Sequence, residues 1–528
     1  MNFIEEGDSG LLVQWAPSSD PQVVFRAAAL QRRIDQNRPR WLREAIPGTC
    51  SLCLVYDPLA AGADDARKLI ESLGEVADDP GESALVEIPV VYGGADGPDL
   101  ERVAKHAGLE PGEIARRHAG ARYRVAFLGF APGFAYMAGL PSELVSPRLK
   151  SPRPRVPPGS VAVGGAHTAI YPNETPGGWN LIGRTSARLV DWSRPDPFLL
   201  HPGDRVAFRA VEGHASEFPS VESIALPHPD PALELRVAGL MTTIQDLGRG
   251  GSAHLGVPVS GAMDRIALRL ANLAAGNLET EPALEFTFPA PRIRFLRPTS
   301  FVLGGADFVP TLAGRPVPSY ERIDAAAGED LVFARRRAGH WGYLALAGGI
   351  SARKHLGSAA TDTRSGIGRR LSIGAKLGLD HAPPSDGRQV PKDLAPMPST
   401  DPVVRFVAGL TPEANRLDRA VITLSPLQDR SGYRTESPVF SPGEASLMSE
   451  GLPPGTIQLP VDGKPIFLMA DRPTTGGYPK LGFFASIDTR VIAQCPPGTR
   501  IRFEKIAASR ARELIREARQ VLNMISED

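Results

Sequence analysis

The spacing of apolar residues divides the first part of the chain into short helices and strands. Apolar positions recur at helical spacing over residues 23–34 and 64–73, whereas residues 50–56 form a mostly apolar run typical of a strand. Helices and strands mixed over so short a stretch are typical of a small α+β domain. We therefore predict such a domain over residues 1–86.

From about residue 87 the apolar runs become shorter and are separated by glycine turns. Glycine (54 residues) and proline (51 residues) are abundant without a fixed period, which favours many short strands joined by turns. Helical spacing returns at residues 99–106, at 111–118 and over 507–528. The last of these predicts an amphipathic helix packed on the body of the protein.

One turn motif occurs twice, nearly 300 residues apart. It consists of a Pro-Pro-Gly turn, a Gly-Gly turn with an aromatic residue, and a Pro-Gly turn that opens a strand. The first copy comprises residues 157–161, 175–179 and 202–208. The second copy comprises residues 453–457, 474–478 and 497–503. The same order and similar spacing predict one β-rich unit used at least twice, with a cleft between the copies. A segment similar to the third part of this motif, the turn that opens a strand, occurs at residues 327–333 and indicates a third related unit.

Two proline-containing stretches without apolar periodicity are predicted linkers, at 215–233 and 383–402. They divide the rest of the chain into units at 87–214, 234–382 and 403–506, followed by the C-terminal helix at 507–528.

The bulk composition argues against several classes of protein. Lys plus Arg and Asp plus Glu both number 59, and a formal net charge of zero disfavours nucleic-acid and membrane-surface proteins. Three cysteines cannot form a disulfide framework, and Cys50 and Cys53 lie in a strand-like run without a second pair to complete a metal site. The start lacks the features of a signal peptide, and no apolar run is long enough to span a membrane, so we expect a cytoplasmic protein.

Four motifs in the first 210 residues carry a family resemblance. They are Phe-Leu-Gly-Phe-Ala-Pro-Gly-Phe-Ala-Tyr at 127–136, Ser-Pro-Arg-Pro-Arg-Val-Pro-Pro-Gly-Ser at 151–160, Ile-Tyr-Pro-Asn-Glu-Thr-Pro-Gly-Gly-Trp at 170–179, and Ile-Gly-Arg-Thr at 182–185. This set closely resembles the family called allophanate hydrolase subunit 1, which is also known as the B subunit of 5-oxoprolinase.

Four further motifs lie in the second half of the chain. They are Thr-Ile-Gln-Asp-Leu-Gly-Arg-Gly at 243–250, Gly-Val-Pro-Val-Ser-Gly-Ala-Met-Asp at 256–264, Asp-Arg-Ser-Gly-Tyr-Arg at 429–434 and Ala-Asp-Arg-Pro-Thr-Thr-Gly-Gly-Tyr-Pro at 470–479. This set resembles the companion family, allophanate hydrolase subunit 2, which is also known as the C subunit of 5-oxoprolinase. The chain thus resembles a fusion of the two over nearly its whole length. The resemblance implies a mainly β fold with a small α+β N-terminal domain and three cyclophilin-like β-barrels, one in the B-like half and two in the C-like half.

The resemblance implies two alternative chemistries. One is ATP-dependent ring opening of 5-oxoproline or a similar cyclic amide, together with the separate A subunit of 5-oxoprolinase, with ATP and Mg²⁺ as expected cofactors. The other is carboxyl transfer to urea or a related amide from a biotin carrier on another chain. No Met-Lys dipeptide for biotin attachment occurs, and no length is left for a biotin carboxylase, so biotin is not expected on this chain. A third alternative is a non-enzymatic regulator of a histidine kinase, and a homo-oligomer is left open.

Residue types within the motifs indicate candidate binding groups. Arginines can clamp phosphate, glycine pairs can present backbone N–H groups to an anion, and aromatic rings can stack on a base. The alternatives are solvated arginines on a surface loop, tight hairpin turns, and rings that close the barrel ends. The candidates are Arg153, Arg155, Tyr171, Gly177, Gly178, Trp179, Arg184, Gln245, Arg249, Arg430, Arg434, Arg472, Thr474, Thr475, Gly476, Gly477 and Tyr478.

Four titratable residues are candidate catalytic groups: His118, Asp246, Asp264 and Asp471. Each Asp lies near an arginine in the sequence, so an ion pair that fixes a loop is the alternative. The identity of a metal ligand is left unknown. Three positions depart from the two families: His167 replaces glutamine, Ala375 replaces aspartate and Ser431 replaces methionine. These departures bear on the substrate more than on the fold.

Overall fold

The first unit of the protein is a four-stranded antiparallel sheet covered by two helices. The computed structural model describes residues 1–16, 21–74, 85–215, 229–391, 399, 401–436, 440–441 and 448–527. The elements of the first unit are β1 (Asn2–Glu6), β2 (Gly10–Gln14), α1 (Pro21–Gln36), β3 (Leu42–Pro47), β4 (Ser51–Tyr56) and α2 (Ala63–Leu73). Both predicted helices and the predicted strand are confirmed. Cys50 and Cys53 are buried free thiols at and within β4.

The second unit contains a closed barrel in the order β10-β7-β6-β13-β5-β12-β9. Its elements are β5 (Leu85–Tyr92), α3 (Leu100–Ala107), α4 (Pro111–Gly120), β6 (Tyr123–Leu128), β7 (Ala135–Ala138), β8 (Arg153–Val156), β9 (Ser160–Gly164), β10 (His167–Ile170), β11 (Thr175–Gly177), β12 (Asn180–Arg184) and β13 (Arg205–Ala210). Val125, Val161 and Ile182 are fully buried in its core. The remaining pair, β8 and β11, forms a two-stranded ribbon beside the barrel.

The middle unit consists of two sheets, in the orders β20-β19-β22-β17-β14-β24 and β15-β16-β23-β18-β21. Its elements are β14 (Leu233–Val237), β15 (Met241–Gln245), α5 (Arg265–Ala275), β16 (Ala283–Thr287), β17 (Arg292–Phe295), β18 (Thr299–Asp307), β19 (Pro310–Leu312), β20 (Arg315–Pro316), β21 (Ile323–Ala325), β22 (Asp330–Phe333), β23 (Ala338–Leu346) and β24 (Lys376–Leu377). The helix α5 packs on β18 and β23.

The last unit contains a second closed barrel, in the order β25-β32-β29-β30-β27-β26-β33. Its elements are β25 (Val403–Ala408), β26 (Val421–Gln428), β27 (Gly432–Thr435), β28 (Glu450–Gly451), β29 (Thr456–Gln458), β30 (Ile466–Leu468), β31 (Thr475–Gly476), β32 (Lys480–Phe484), α6 (Thr489–Ala493), β33 (Arg500–Lys505) and α7 (Ala508–Glu527). The helix α7 buries Ala511, Leu522 and Ile525 against the body, which confirms the predicted C-terminal helix.

The repeated turn motif builds the same structure in both barrels. Gly159 and Gly455 have φ of 79° and 77°, a left-handed conformation that favours glycine. The next residue, Ser160 or Thr456, donates its hydroxyl to the first proline of the turn at 2.7 Å in both copies. In both barrels the last strand pairs in parallel with the first, β13 with β5 and β33 with β25. The predicted reuse of one β-rich unit is therefore confirmed.

The predicted third barrel is not confirmed. The segment at 327–333 does contain a strand, β22. However, β22 pairs antiparallel with β17 and β19 and not with the first strand of its unit. Without the parallel closure seen in the two barrels, the strands of the middle unit remain two sheets. Residues 216–228 of the first predicted linker, and 392–398 and 400 of the second, lie outside the described residues. Helices of the length and apolarity needed to cross a membrane do not occur in the described part of the chain.

Candidate functional site at the junction of the two halves

Three motif segments that are far apart in sequence meet in the structure. The backbone N–H of Phe130 donates to Thr475 Oγ1 at 3.1 Å. The backbone N–H of Ser260 donates to the carbonyl of Ala470 at 3.2 Å. These three segments, residues 127–136, 256–264 and 470–479, form the junction. The B-like and C-like halves therefore clasp each other at the motifs.

The junction is close-packed and its backbone is strained. Phe130 and Ser260 have φ of 68° and 55°, a left-handed conformation that is costly for residues with a side chain. A Cβ on Gly129 would lie 2.8 Å from Thr475 Cγ2 and closer still to Thr475 Oγ1. Strained residues concentrate at functional sites, where the surrounding structure holds them in place.

Aromatic rings connect the first barrel to the junction. The ring of Phe134 lies 5.1 Å from that of Tyr171 and 5.6 Å from that of Trp179, in edge-to-face arrangements. Tyr136, 5.6 Å from Trp179, forms a hydrogen bond with Thr475. The predicted Tyr171 and Trp179 are thus brought to the junction, where both are buried as packing groups.

The first glycine pair shapes the ribbon beside this aromatic cluster. A Cβ on Gly177 would lie 2.7 Å from two ring carbons of Tyr171, so only glycine fits. The carbonyl of Gly178 accepts a hydrogen bond from Leu149 N at 2.7 Å. Arg184 Nε donates to the Pro158 carbonyl at 3.1 Å and so holds the Pro-Pro-Gly turn.

The two predicted phosphate-binding arginines have different surroundings. Arg153 Nη2 pairs with Asp99 Oδ1 at 2.7 Å, and the other oxygen of Asp99 accepts Leu181 N at 2.7 Å. Arg155 is 81% exposed and lies 3.6 Å from the exposed Glu174. The geometry favours a structural role for Arg153 and leaves the guanidinium of Arg155 in solvent.

We therefore expect Arg153→Ala to lower the free energy of unfolding by about 1–3 kcal/mol, because it leaves a buried carboxylate with one partner fewer. Arg155→Ala is the matched control, with an expected change within about 0.5 kcal/mol. Thermal unfolding of both variants measures the difference. Equal stability of the two variants would contradict the structural role of Arg153.

Arg430 is the centre of a buried polar network behind the junction. Its Nε and Nη2 donate to the two oxygens of Asp471 at 2.8 and 3.0 Å, and its Nη2 also donates to the Gly261 carbonyl at 2.6 Å. A further bond joins its Nη1 to Glu285. Burial alone lowers the pKa of Arg430, but the charges of Asp471 and Glu285 raise it above its usual value.

Glu285 is a site residue that sequence reasoning missed. Its Oε2 accepts hydrogen bonds from Met263 N and from the Tyr343 hydroxyl, both at 2.8 Å. Burial raises its pKa, and Arg430 opposes that shift. The sequence did contain a signal for Glu285, because it is the one charged residue of strand β16, and a charge buried in a strand needs a partner.

Two predicted catalytic residues hold local structure. Asp264 caps the N-terminus of α5 by accepting Ala267 N at 3.0 Å, and it also accepts from Gln494 Nε2 at 3.0 Å. His118 is fully buried. Its Nδ1 forms a hydrogen bond with the Tyr92 hydroxyl at 2.7 Å, and its Nε2 forms one with Thr168 Oγ1 at 2.9 Å. Burial lowers the pKa of His118 to about 3. The catalytic roles of both stay predictions, and this geometry favours structural roles.

The segment that holds Gln245, Asp246 and Arg249 is tied to residues 355–361. Asp246 accepts Ser358 Oγ at 2.6 Å and Ala359 N at 2.7 Å. Arg249 is 2% exposed and donates to the Ala360 carbonyl, while its Nη1 lacks a partner in the described part of the chain. Of the motif at 243–250, Thr243 lines a pocket next to Arg430, whereas Gln245, Asp246 and Arg249 do not.

The second Gly-Gly segment also lines the junction. Arg472 is buried and donates Nε to the Leu452 carbonyl at 3.1 Å, and burial lowers its pKa to about 10. Thr474 is buried, and its hydroxyl has no hydrogen-bond partner among the described residues. Gly476 lies in the ribbon strand β31, and Gly477 follows it, half-buried.

Besides Arg155, two other predicted binding residues are solvent-exposed. Tyr478 is 38% exposed, in contrast to its counterpart Trp179. Arg434 is exposed on β27 and lines an open surface pocket on the last barrel with Glu436, Asp462 and Lys464. The structure does not bring Arg434 into the junction.

A pocket of about 180 Å³ lies beside Arg430 and Asp471, between the middle and last units. It is lined by Met241, Thr243, Thr361, Thr363, Arg364, Asp429, Arg430, Ser431 and Asp471. Asp362 lies behind this wall, where burial and the charge of Asp471 raise its pKa to about 6. Asp362 and Arg364 were not among the sequence candidates, because residues 361–364 lie outside every motif.

The chemistry of these donors fits a nucleotide and its Mg²⁺ only in part. Within the described ranges, no group of three or more His, Cys, Asp or Glu side chains is arranged to hold a metal ion. A Mg²⁺ ion that arrives with a nucleotide needs only one or two carboxylates. Here Arg430 occupies both oxygens of Asp471, and Asp362 accepts hydrogen bonds from Arg364 N and from Ser365. The unpartnered hydroxyl of Thr474 and the buried cation Arg472 fit a phosphate group.

Comparison with known families matches both halves of the chain. The model of the carboxyltransferase domain, subdomains C and D, matches residues 1–200. The model of the carboxyltransferase domain, subdomains A and B, matches residues 255–505.

Individual relatives match each half separately and the whole chain. The first part is 47% identical over 207 residues to the B subunit of 5-oxoprolinase from Escherichia coli O157:H7, covering 38% of this chain and 92% of the relative. The second part is 34% identical over 296 residues to the C subunit of 5-oxoprolinase from Haemophilus influenzae, covering 54% of this chain and 94% of the relative. The crystal structure of the protein TTHA0988 is 36% identical with a TM-score of 0.85, covering 94% of this chain and 99% of that one.

Proposed function

Because this chain belongs to the carboxyltransferase domain family, as a fusion of regions related to the B and C subunits of 5-oxoprolinase, we propose that it is the B/C component of an ATP-dependent 5-oxoprolinase. In this proposal it phosphorylates 5-oxoproline or a similar cyclic amide, and the separate A subunit of the enzyme completes ring opening. The observation that carries the proposal is the junction, where motifs of both halves meet through the Phe130–Thr475 hydrogen bond.

The chemistry of lactam opening supports this reading of the junction. A resonance-stabilised amide becomes reactive when its oxygen is phosphorylated, and ATP, when bound, supplies that phosphoryl group. The site must then hold negative charge with fixed donors and exclude water. Arg472 and the Thr474 hydroxyl provide donors in a buried setting. The aromatic cluster around Phe134 and Trp179 closes one side of the junction against solvent.

The four predicted catalytic groups are not equally placed for this chemistry. Asp471 lines the pocket, whereas His118 lies in the first barrel and Asp264 caps a helix. Arg430 orients Asp471 through two hydrogen bonds. In our proposal Asp471 is therefore the catalytic carboxylate. Asp362, whose pKa burial and the charge of Asp471 raise to about 6, is the acid/base group behind the pocket wall.

Carboxyl transfer is the second candidate function. The description of the matching family models as carboxyltransferase subdomains favours it. This candidate requires a biotin carrier on another chain, because the sequence has no Met-Lys dipeptide for attachment. Capture of a biotinylated partner protein by this chain would favour it over lactam phosphorylation.

Phosphate release from ATP-Mg²⁺ tests the proposal directly. The purified chain is assayed with and without 5-oxoproline, and with and without a homologue of the A subunit. We expect release that requires 5-oxoproline, and glutamate formation only when the A subunit is present. No 5-oxoproline-dependent release, even with that partner, would refute the proposal and leave carboxyl transfer as the better candidate.

A further inference from the structure

The pocket beside the junction contains an arginine that no described carboxylate neutralises. Arg364 Nη1 donates to Ser431 Oγ at 2.5 Å, a contact that joins the middle unit to the last barrel. Arg364 is exposed at the rim of the pocket, and its guanidinium forms no ion pair with a carboxylate of the described residues, although its backbone N–H donates to Asp362 Oδ1 at 3.1 Å. The other arginine in the wall, Arg430, pairs with both Asp471 and Glu285.

The two carboxylates that line the pocket are already engaged. Asp471 accepts two hydrogen bonds from Arg430 at 2.8 and 3.0 Å. Asp429 Oδ1 accepts the backbone N–H groups of Ser431 at 2.7 Å and Gly432 at 3.0 Å, which closes a turn. The guanidinium of Arg364 is therefore the charge in the pocket wall that lacks a counter-charge of its own within the described part of the chain.

Neutral groups suited to an amide lie on the same wall. Gln245 Nε2 donates to Thr243 Oγ1 at 3.1 Å and to the Thr361 carbonyl at 3.0 Å. Because Thr243 Oγ1 accepts from Gln245, its own proton remains available to donate to a ligand carbonyl. Met241 adds an apolar side to the pocket. The volume of about 180 Å³ suits a small molecule.

We propose that Arg364, held by Ser431, is the residue of this pocket that anchors the carboxylate of the substrate and so selects an amide that carries one. The inference rests on the proposed function and deepens it, because it names a residue that determines substrate specificity. A guanidinium has five N–H donors. An arginine that one hydrogen bond holds in place can therefore still donate two parallel hydrogen bonds to a carboxylate. An uncharged amide such as urea cannot form this contact and is disfavoured.

Substitution of Arg364 tests the proposal without relying on turnover alone. Binding of 5-oxoproline to the full chain is measured by calorimetry, with pyrrolidin-2-one, the same lactam without the carboxylate, as the second probe. We expect Arg364→Gln to weaken 5-oxoproline binding about tenfold to a hundredfold and to leave pyrrolidin-2-one binding unchanged. Arg364→Lys should restore part of the affinity. Arg369→Gln, on the same loop and exposed, is the matched control with unchanged affinity.

The outcomes separate this inference from the proposed function. Unchanged 5-oxoproline affinity in Arg364→Gln, or equal affinity of the wild type for both probes, overturns the inference. If phosphate release depends on 5-oxoproline but its KM is the same in Arg364→Gln, the function stands and the inference fails. If Arg364-dependent binding is seen without any phosphate release, the inference stands and the proposed function fails.

Discussion

Replacement of Arg430 by alanine is expected to destabilise the C-terminal half of the protein by about 3–5 kcal/mol. Arg430 is only 4% exposed and bonds to both Asp471 and Glu285. Its removal leaves two buried carboxylates without a cation, and an uncompensated buried charge is among the most destabilising changes in a protein. Urea unfolding followed by tryptophan fluorescence measures this loss.

Arg434→Ala is the matched control for this prediction. Arg434 lies four residues further along the same segment, on the exposed face of β27. Its loss should change stability by no more than about 0.5 kcal/mol. Arg430→Lys should be intermediate, because lysine keeps the charge but loses the fork that holds two carboxylates. Similar stability of Arg430→Ala and Arg434→Ala would show that the buried network contributes little.

The destabilisation by Arg430→Ala should grow as the pH rises. Burial raises the pKa of Glu285 above 4.5 in the folded protein, and Arg430 partly offsets this shift. A carboxyl group with a raised folded-state pKa stabilises the fold most below its unfolded-state pKa, and this contribution is lost as pH rises through the folded-state pKa. Without Arg430 the folded-state pKa rises further, so the variant loses more stability than the wild type as the pH rises above the ordinary glutamate value of 4.5. A loss independent of pH would contradict this account.

Local patterns in the sequence were sufficient to predict the elements and the repeated unit. Helical spacing identified α1 and α7, and the Pro-Pro-Gly turns identified two barrels whose turns have the same φ and the same hydroxyl contact. These features depend on residues close together in the chain, so their signals lie within short windows. The third barrel was predicted from a phrase of the same local kind, but barrel closure depends on pairing between distant strands.

Partners that are distant in the sequence could not be predicted in this way. Arg153 was predicted to bind phosphate, and Asp99, which pairs with it, lies 54 residues away. The partner of Arg430, Glu285, is 145 residues away in another unit. Whether an arginine is neutralised or free for a ligand depends on such contacts. For that reason the motifs indicated candidate arginines but did not distinguish structural ones from those available to a ligand, and they did not include Arg364.

Replacement of Gly129 by alanine is expected to reduce 5-oxoproline-dependent phosphate release about a hundredfold, if the junction is the active site. A Cβ at this position would lie 2.8 Å from Thr475 Cγ2 and 3.1 Å from Thr475 Cβ, so the two halves must separate to accommodate it. Displacement of catalytic groups by about 1 Å can cost this much in rate. Gly112→Ala in α4 is the matched control, because a Cβ there meets no atom within 4 Å and activity should be unchanged.

A second substitution at Thr475 tests whether the clash itself is the cause. Thr475→Ala removes the hydroxyl and methyl groups that the new Cβ would meet, but it also removes the acceptor for Phe130 N–H. We expect Thr475→Ala alone to lower activity moderately, and Gly129→Ala with Thr475→Ala to be more active than Gly129→Ala alone. Such non-additivity is the signature of two residues in direct contact. Wild-type activity in Gly129→Ala, or a double variant no better than Gly129→Ala, would show that the spacing of the two halves does not control the reaction.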